Sequence, residues 1–362
     1  MNKSPAALAL AMLSIAANVH AQSSVTLYGS LDAGVGYVSN LRGGRAFIAQ
    51  QGTLQADRWG LTGTEDLGGG LKTVFKLESG FSTITGAMSS AGTLFNRQAY
   101  VGLSESRIGT ITLGRQTDFH FEMLGPLSTA QTLGDFSAFH PGNVDGLGNT
   151  VPVELSNTVK FRSRTFAGVT IGAMYGFTNQ SSSTTGRSFS FGATYAYGPL
   201  NLAAAYSEYR DRTFNLANGL GLTRFEGVTL PVNGTFVAEN VRNAGIGGSY
   251  QLGRVQLHAL LTQVRIEARG RSENYLAIDG GANVQITPAY MIGAGAWTTT
   301  LAGQRWTQVT IANVYSLSKL TQLYADVMVE QASSGAVSST LGIGPSSSNR
   351  QTVVLAGIHH LF

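Results

Sequence analysis

The sequence contains no cysteine, which excludes a disulfide framework, a thiol nucleophile and any Cys-ligated metal. Beyond His20 it holds five histidines, His120, His140, His258, His359 and His360. No His-Glu-x-x-His or Gly-x-Ser-x-Gly run accompanies them. His359 and His360 are neighbours in an alternating run, so they point to opposite faces and cannot hold one ion together. No enzymatic activity, cofactor or metal is therefore expected. Charge is scarce as well: Asp, Glu, Lys and Arg make up 12% of the chain, about half the globular norm of ~25%. A net charge of +4 spread over 362 residues gives no case for a nucleic-acid partner. After the N-terminus there is no apolar run of ~18 residues, so no transmembrane helix is expected.

What is present begins with residues 1–21. Lys3, an apolar run over residues 6–17 and the small-residue stretch Val19-His20-Ala21 have the layout of a secretory signal peptide. Cleavage is expected after Ala21, leaving a single domain, residues 22–362, of 362 − 21 = 341 residues. Glycine is abundant, at 46 residues, but without a Gly-X-Y period, so collagen is excluded. From Val25 onward the pattern is strict alternation. Val25, Leu27, Leu31, Ala33, Val35 and Tyr37 share one parity, while Thr26, Tyr28, Ser30 and Asp32 share the other. Such period-2 runs recur to the last residue, and no helical period interrupts them.

The connectors separate into two kinds. Short turns are read at residues 65–70, 104–109, 165–168, 197–200, 251–254, 282–288 and 317–320. Between them lie mostly longer connectors, at 40–55, 83–93, 118–153, 178–186, 210–240, 268–271, 301–304 and 331–349. Seven turns and eight loops separate sixteen strands, about 21 residues apiece, enough for the ~9–11 residues of a tilted bilayer-spanning strand. In lipid every backbone group must be paired, so such a sheet closes on itself. Sixteen strands leave an aqueous channel. The expected fold is thus all-β, a 16-stranded antiparallel transmembrane β-barrel. The connector over residues 118–153 is exceptional in length and carries Phe119, Phe121, Phe136 and Phe139. It is expected to fold into the pore.

Several stretches resemble the general porins of Gram-negative bacteria, in their beta-proteobacterial branch. Residues 57–81, DRWGLTGTEDLGGGLKTVFKLESGF, are similar to the second and third strands of that family, and FNRQAYVGL (95–103) and GTITLGRQ (109–116) to its fourth and fifth. NTVKF (157–161) resembles the strand after the long loop, and GIHHLF (357–362) the C-terminal assembly signal ending in Phe362. His360 stands where an aromatic is usual. The resemblance implies an outer-membrane homotrimer of sixteen-stranded barrels in contact with lipid, passing small hydrophilic solutes and ions by passive diffusion. It also implies a third loop folded inward, whose acidic groups face basic groups on the opposite wall.

Parity assigns the sides. Trp59 and Leu61 point outward, so Arg58 faces the lumen; Leu71, Phe75 and Leu77 point outward, placing Lys72, Lys76 and Glu78 inside. Val159 and Phe161 outward put Lys160 and Arg162 on the pore wall. A charge turned to lipid costs ~2–4 kcal/mol at the midplane. Arg58 and Arg97 match the family's wall arginines. The opposing acids are expected among Asp118, Glu122, Asp135, Asp145 and Glu154; at Glu154 the related proteins usually carry a basic residue, which argues against strong anion selectivity. Arg115 shares the parity of Ile111 and Leu113 and is a candidate contact with a neighbouring protomer. The alternative reading is a substrate-specific outer-membrane channel, for which a ladder of lumen aromatics would be needed; parity supplies Tyr28 and Tyr324 alone.

Overall fold

In the computed structural model, residues 23–148, 154–178, 186–231 and 234–362 are described. The expected signal peptide, residues 1–21, and the end of the long connector lie outside them. Seventeen strands form one antiparallel sheet: β1 Ser24–Leu41, β2 Gly44–Gln51, β3 Arg58–Gly68, β4 Leu71–Gly80, β5 Gln98–Glu105, β6 Gly109–Thr117, β7 Glu154–Ser163, β8 Val169–Gly176, β9 Ser188–Tyr197, β10 Leu200–Phe214, β11 Phe236–Leu252, β12 Val255–Ala268, β13 Arg271–Thr287, β14 Tyr290–Leu301, β15 Gln304–Ser316, β16 Thr321–Ala332 and β17 Arg350–Leu361. Apart from β2 and β3, which both pair with β1, each pairs with its sequence neighbours, and β1 pairs with β17 from Ser30↔Leu361 to Val38↔Val353, closing the barrel. Phe362 completes the seam, its backbone exchanging hydrogen bonds with Gly29 at 2.9 and 3.2 Å.

Seventeen strands make sixteen staves, because β2 and β3 share one edge of β1. Ala33–Leu41 pairs with β2 and Ser24–Ser30 with β3. Between them residues 52–57 leave the ladder and are caught by Asp32, whose Oδ2 accepts from Leu54 N at 2.7 Å while its own N–H donates to Asp57 Oδ1 at 2.7 Å. The long first connector expected over residues 40–55 is thus corrected: the hairpin turns at Arg42 and Gly43, both at positive φ, and the stave resumes as β2. The turn expected over 282–288 is likewise shorter, since β13 runs to Thr287.

Alternation carries the sidedness. On β12, Leu257 and Leu261 are exposed while His258, Thr262 and Val264 are buried. Leu27, Val101, Leu113, Ile171, Ile246, Ile278, Val309 and Ile311 extend the exposed apolar face around the barrel, the band that meets hydrocarbon. The opposite face is largely covered by two connectors. Residues 118–148 contain a short helix α1, Thr129–Leu133, capped by Ser128 and ended by Gly134 in the left-handed region. Residues 215–231 contain α2, Leu216–Leu220, which packs with Phe225, Val144, Val264, Tyr275, Trp297 and Trp306 into one apolar cluster. Wall glycines make room for the first connector. A Cβ at Gly172 would lie 2.2 Å from the Phe119 ring, and one at Gly295 2.5 Å from Thr129 Cγ2.

Candidate functional site

The connector after β6 is tied to the wall along its length. Asp118 Oδ2 accepts from Ser207 at 2.8 Å and from the Tyr209 hydroxyl, and Phe119 N–H donates to Ser190 at 3.1 Å. Further along, Thr129 N–H and its hydroxyl both donate to Asp279. Trp297 Nε1–H donates to the Ala138 carbonyl at 2.8 Å, and Gln308 to that of Ser137 at 3.2 Å. Phe136 N–H then reaches the Thr53 carbonyl, in the break between β2 and β3, at 2.8 Å. The segment therefore runs from β6 past β9 and β10 to β12–β15 and on to the first stave.

Its tightest anchor is a buried ionic group. His140 Nδ1 lies 2.6 Å from Asp145 Oδ2 and its Nε2 3.2 Å from Asp279 Oδ2. Thr262 donates to Asp145 at 2.7 Å, and His258 Nε2 stands 3.6 Å from Asp279 Oδ1. Burial pushes the His140 pKa down, but the adjoining Asp145 and Asp279 carboxylates outweigh it and hold the ring above its ordinary value. His140 is thus an imidazolium between two carboxylates. For Asp145 burial acts upward, and the His140 charge and hydrogen bond reverse it, leaving the group below the ordinary carboxylate range.

The second constellation centres on Glu78, on β4. Arg97 Nε–H donates to its Oε1 at 2.7 Å. Lys76 Nζ lies 3.2 Å and Arg58 Nε 3.8 Å from Oε2, which also accepts from the Tyr28 hydroxyl at 2.7 Å. Arg58 further donates to the Gln55 side chain at 2.6 Å and the Ala56 carbonyl at 3.0 Å, so the break at residues 52–57 fixes its direction. These groups border a cavity of about 340 Å³. Its charged lining is Arg58, Lys76 and Arg97 against Glu78, hence 3 − 1 = +2. To the same lining the connector contributes Phe121, Gln131, Phe136 and Phe139.

The six basic wall candidates are thus divided. Arg58, Lys76 and Arg97 converge on Glu78. Lys160 and Arg162 instead flank Glu122, Lys160 in direct contact and Arg162 at 3.6 Å, beside a second polar recess that shares Gln98 with the first cavity. Lys72 is exposed at the turn end of β4, six residues and about 20 Å of strand from Glu78. Of the five acidic candidates none lines the cavity at Glu78. Asp118, Asp135 and Asp145 are buried at 1%, 1% and 0% exposure: Asp118 and Asp145 accept from the wall hydroxyls of Ser207, Tyr209 and Thr262, whereas Asp135 accepts from the connector's own backbone. Burial pushes the Asp135 carboxyl up, against a hydrogen bond from Ser137 N–H. Glu154, at the start of β7, borders an adjoining cavity with Asp57 and Arg97. Arg115 donates to the Asn96 carbonyl at 2.6 Å and to Ser156 at 2.8 Å within its own chain.

Sequence reasoning placed Glu78 inside but did not make it the hub; its i, i+2 spacing from Lys76 was the available signal. The His140–Asp145–Asp279 anchor had no local signal, since its members lie up to 139 residues apart.

A closed barrel with an apolar outer band and a charged, recessed interior defines a transmembrane channel. The chain matches the family model "Gram-negative porin" over residues 6–334, and it belongs to that family. It is 29% identical to an outer membrane porin protein of Bordetella pertussis, over 88% of this chain and 92% of the relative. Among solved structures it is similar to an anion-selective porin from Comamonas acidovorans (24% identity, TM-score 0.79, 94% of this chain and 100% of that one). It is similar also to the trimer form of the Vibrio cholerae outer membrane protein OmpT (15% identity, TM-score 0.69, 94% and 99%). The protein is an outer-membrane porin, a channel for passive diffusion of small hydrophilic solutes in a Gram-negative bacterium.

Proposed function

We propose that residues 118–148 form the constriction of this channel, and that solutes pass between them and the wall patch of Arg58, Lys76 and Arg97. The observation that carries this reading is the cavity between that patch and the connector, with its charged lining of +2. A fixed surplus of positive charge in a narrow, partly desolvated passage raises the local concentration of anions. The channel therefore prefers small anions, and the Glu78 carboxylate, which screens all three cations, keeps that preference moderate. Anion selectivity in the Comamonas structural neighbour accords with this. We further propose that residues 1–21 are removed on export and that three chains associate, as in the OmpT trimer form. Arg115, on the outward parity, is the candidate for a contact between protomers. The test is planar-bilayer conductance of the refolded mature protein across a salt gradient. Closures in groups of three and an anion-directed reversal potential support the reading. A cation-directed potential in the wild type would contradict the assignment of the wall.

A further inference from the structure

The connector side of the constriction is not what a simple ion filter requires. A filter needs charge and a polar rim; here the connector's share of the lining carries three phenyl rings beside Gln131. Phe121 and Phe136 are half-buried and border the cavity, and Phe139 backs Phe136 in an edge-to-face pair with centroids 5.8 Å apart. Phe136 is held in place by its own N–H on the Thr53 carbonyl. On the cation side Arg58 is fixed by Gln55, Ala56 and Glu78. Both sides of the cavity are thus positioned before any solute arrives.

From this juxtaposition we infer that the constriction contains a weak binding subsite for small aromatic carboxylates, of benzoate size, with the carboxylate on the Arg58–Lys76–Arg97 patch and the ring against Phe121 and Phe136. The inference rests on the constriction reading above. Three physical points support it. A cavity of about 340 Å³ is within the usual size range of small-ligand sites. Ring–ring contacts in offset or edge geometry add attraction beyond simple area burial, and an aliphatic acid such as acetate cannot make them. Glu78 already occupies the three cations, so an entering carboxylate competes with it and is held loosely. Loose binding is what a channel that must release its solute requires. Aromatic carboxylates would then linger in, and saturate, a pore that smaller anions cross freely.

The test uses the refolded full barrel in a planar bilayer, with chloride current recorded while sodium benzoate or sodium acetate is added to one side. Benzoate should reduce the current saturably, half-maximally at least tenfold below any effect of acetate. Phe136→Leu and Phe121→Leu keep apolar volume while removing the ring, and each should raise the half-blocking benzoate concentration about five- to tenfold. Benzyl alcohol, which has the ring without the charge, should not block. Equal effects of benzoate and acetate, or full block by benzoate in the Phe121→Leu/Phe136→Leu double variant, would overturn the subsite. Failure of the constriction itself is read separately, from the salt-gradient reversal potential of the unsubstituted channel.

Discussion

The same interior holds two charged clusters, His140 with two aspartates and Glu78 with three cations, and they do opposite things. Around His140 every partner is sealed: His140, Asp145 and Asp279 are at most 3% exposed, and each charge meets an opposite charge or a hydroxyl. Around Glu78 the carboxylate is buried, yet Lys76 and Arg58 retain about a quarter of their side-chain surface and border open space. The first cluster sets one imidazolium against two carboxylates and fastens the connector. The second carries a surplus of cations and borders an open cavity. Access to solvent and the sign of the net charge separate the two clusters.

Breaking the anchor should give the largest effect. His140→Leu leaves Asp145 and Asp279 buried without their cation and should destabilise the barrel by about 3–5 kcal/mol, measured by equilibrium urea unfolding in lipid vesicles. A loss below about 1 kcal/mol would mean that the ion group does not fasten the connector. The anchor also has a defined pH window. Because the folded His140 pKa is raised, its contribution is complete below the unfolded value near 6.5. That contribution is lost only as pH rises through the raised value. Asp145, whose pKa is lowered, contributes above the ordinary carboxylate range, and its share is lost as pH falls through the lowered value. Current noise in single channels should therefore be lowest around neutrality and grow toward alkaline pH, and His140→Gln should remove the alkaline limb.

A gentler perturbation of the same contact is Gly295→Val. Its Cβ would meet Thr129 at 2.5 Å, so α1 must shift, at a cost of about 1–3 kcal/mol, with altered conductance as the readout. At the second cluster, Glu78→Gln removes the carboxylate that screens the cations. The anion-to-cation permeability ratio should rise roughly two- to fivefold, whereas Arg58→Ala with Arg97→Ala should lower it by a comparable factor. Reversal potentials check both, and no movement in either direction would dissociate this patch from selectivity. Glu122→Gln should matter least. Its side chain is 23% exposed, and the buried Lys160 ammonium keeps its hydrogen bond to the Thr117 carbonyl at 2.8 Å beside the new amide oxygen, so a loss of about 1 kcal/mol in urea unfolding is expected.

Local pattern made the staves, their sidedness and the lumen positions of Arg58, Lys76 and Lys160 legible, because a strand's period of two encodes which face a residue takes. Parity also placed Glu78, but it does not reveal which of several lumen charges meet across staves. The break at residues 52–57 was hidden because β2 and β3 both alternate, and the excursion is held by a distant acid, Asp32. Burial of Asp118 and Asp145 was hidden for the related reason that they have partners on other strands, among them Tyr209, Ser207 and Thr262. The second connector, at residues 215–231, joins the interior through apolar packing among staves far apart in sequence, which no short window contains.

The absence of native cysteine allows the central claim to be tested at one atom. Gln131 is exposed on α1 and borders the same cavity as the cations. Gln131→Cys, labelled in the open channel with an anionic methanethiosulfonate reagent, should lower single-channel conductance and shift the reversal potential toward cations. Complete labelling, verified by mass, with conductance and selectivity unchanged would place the connector away from the permeation path and contradict the account.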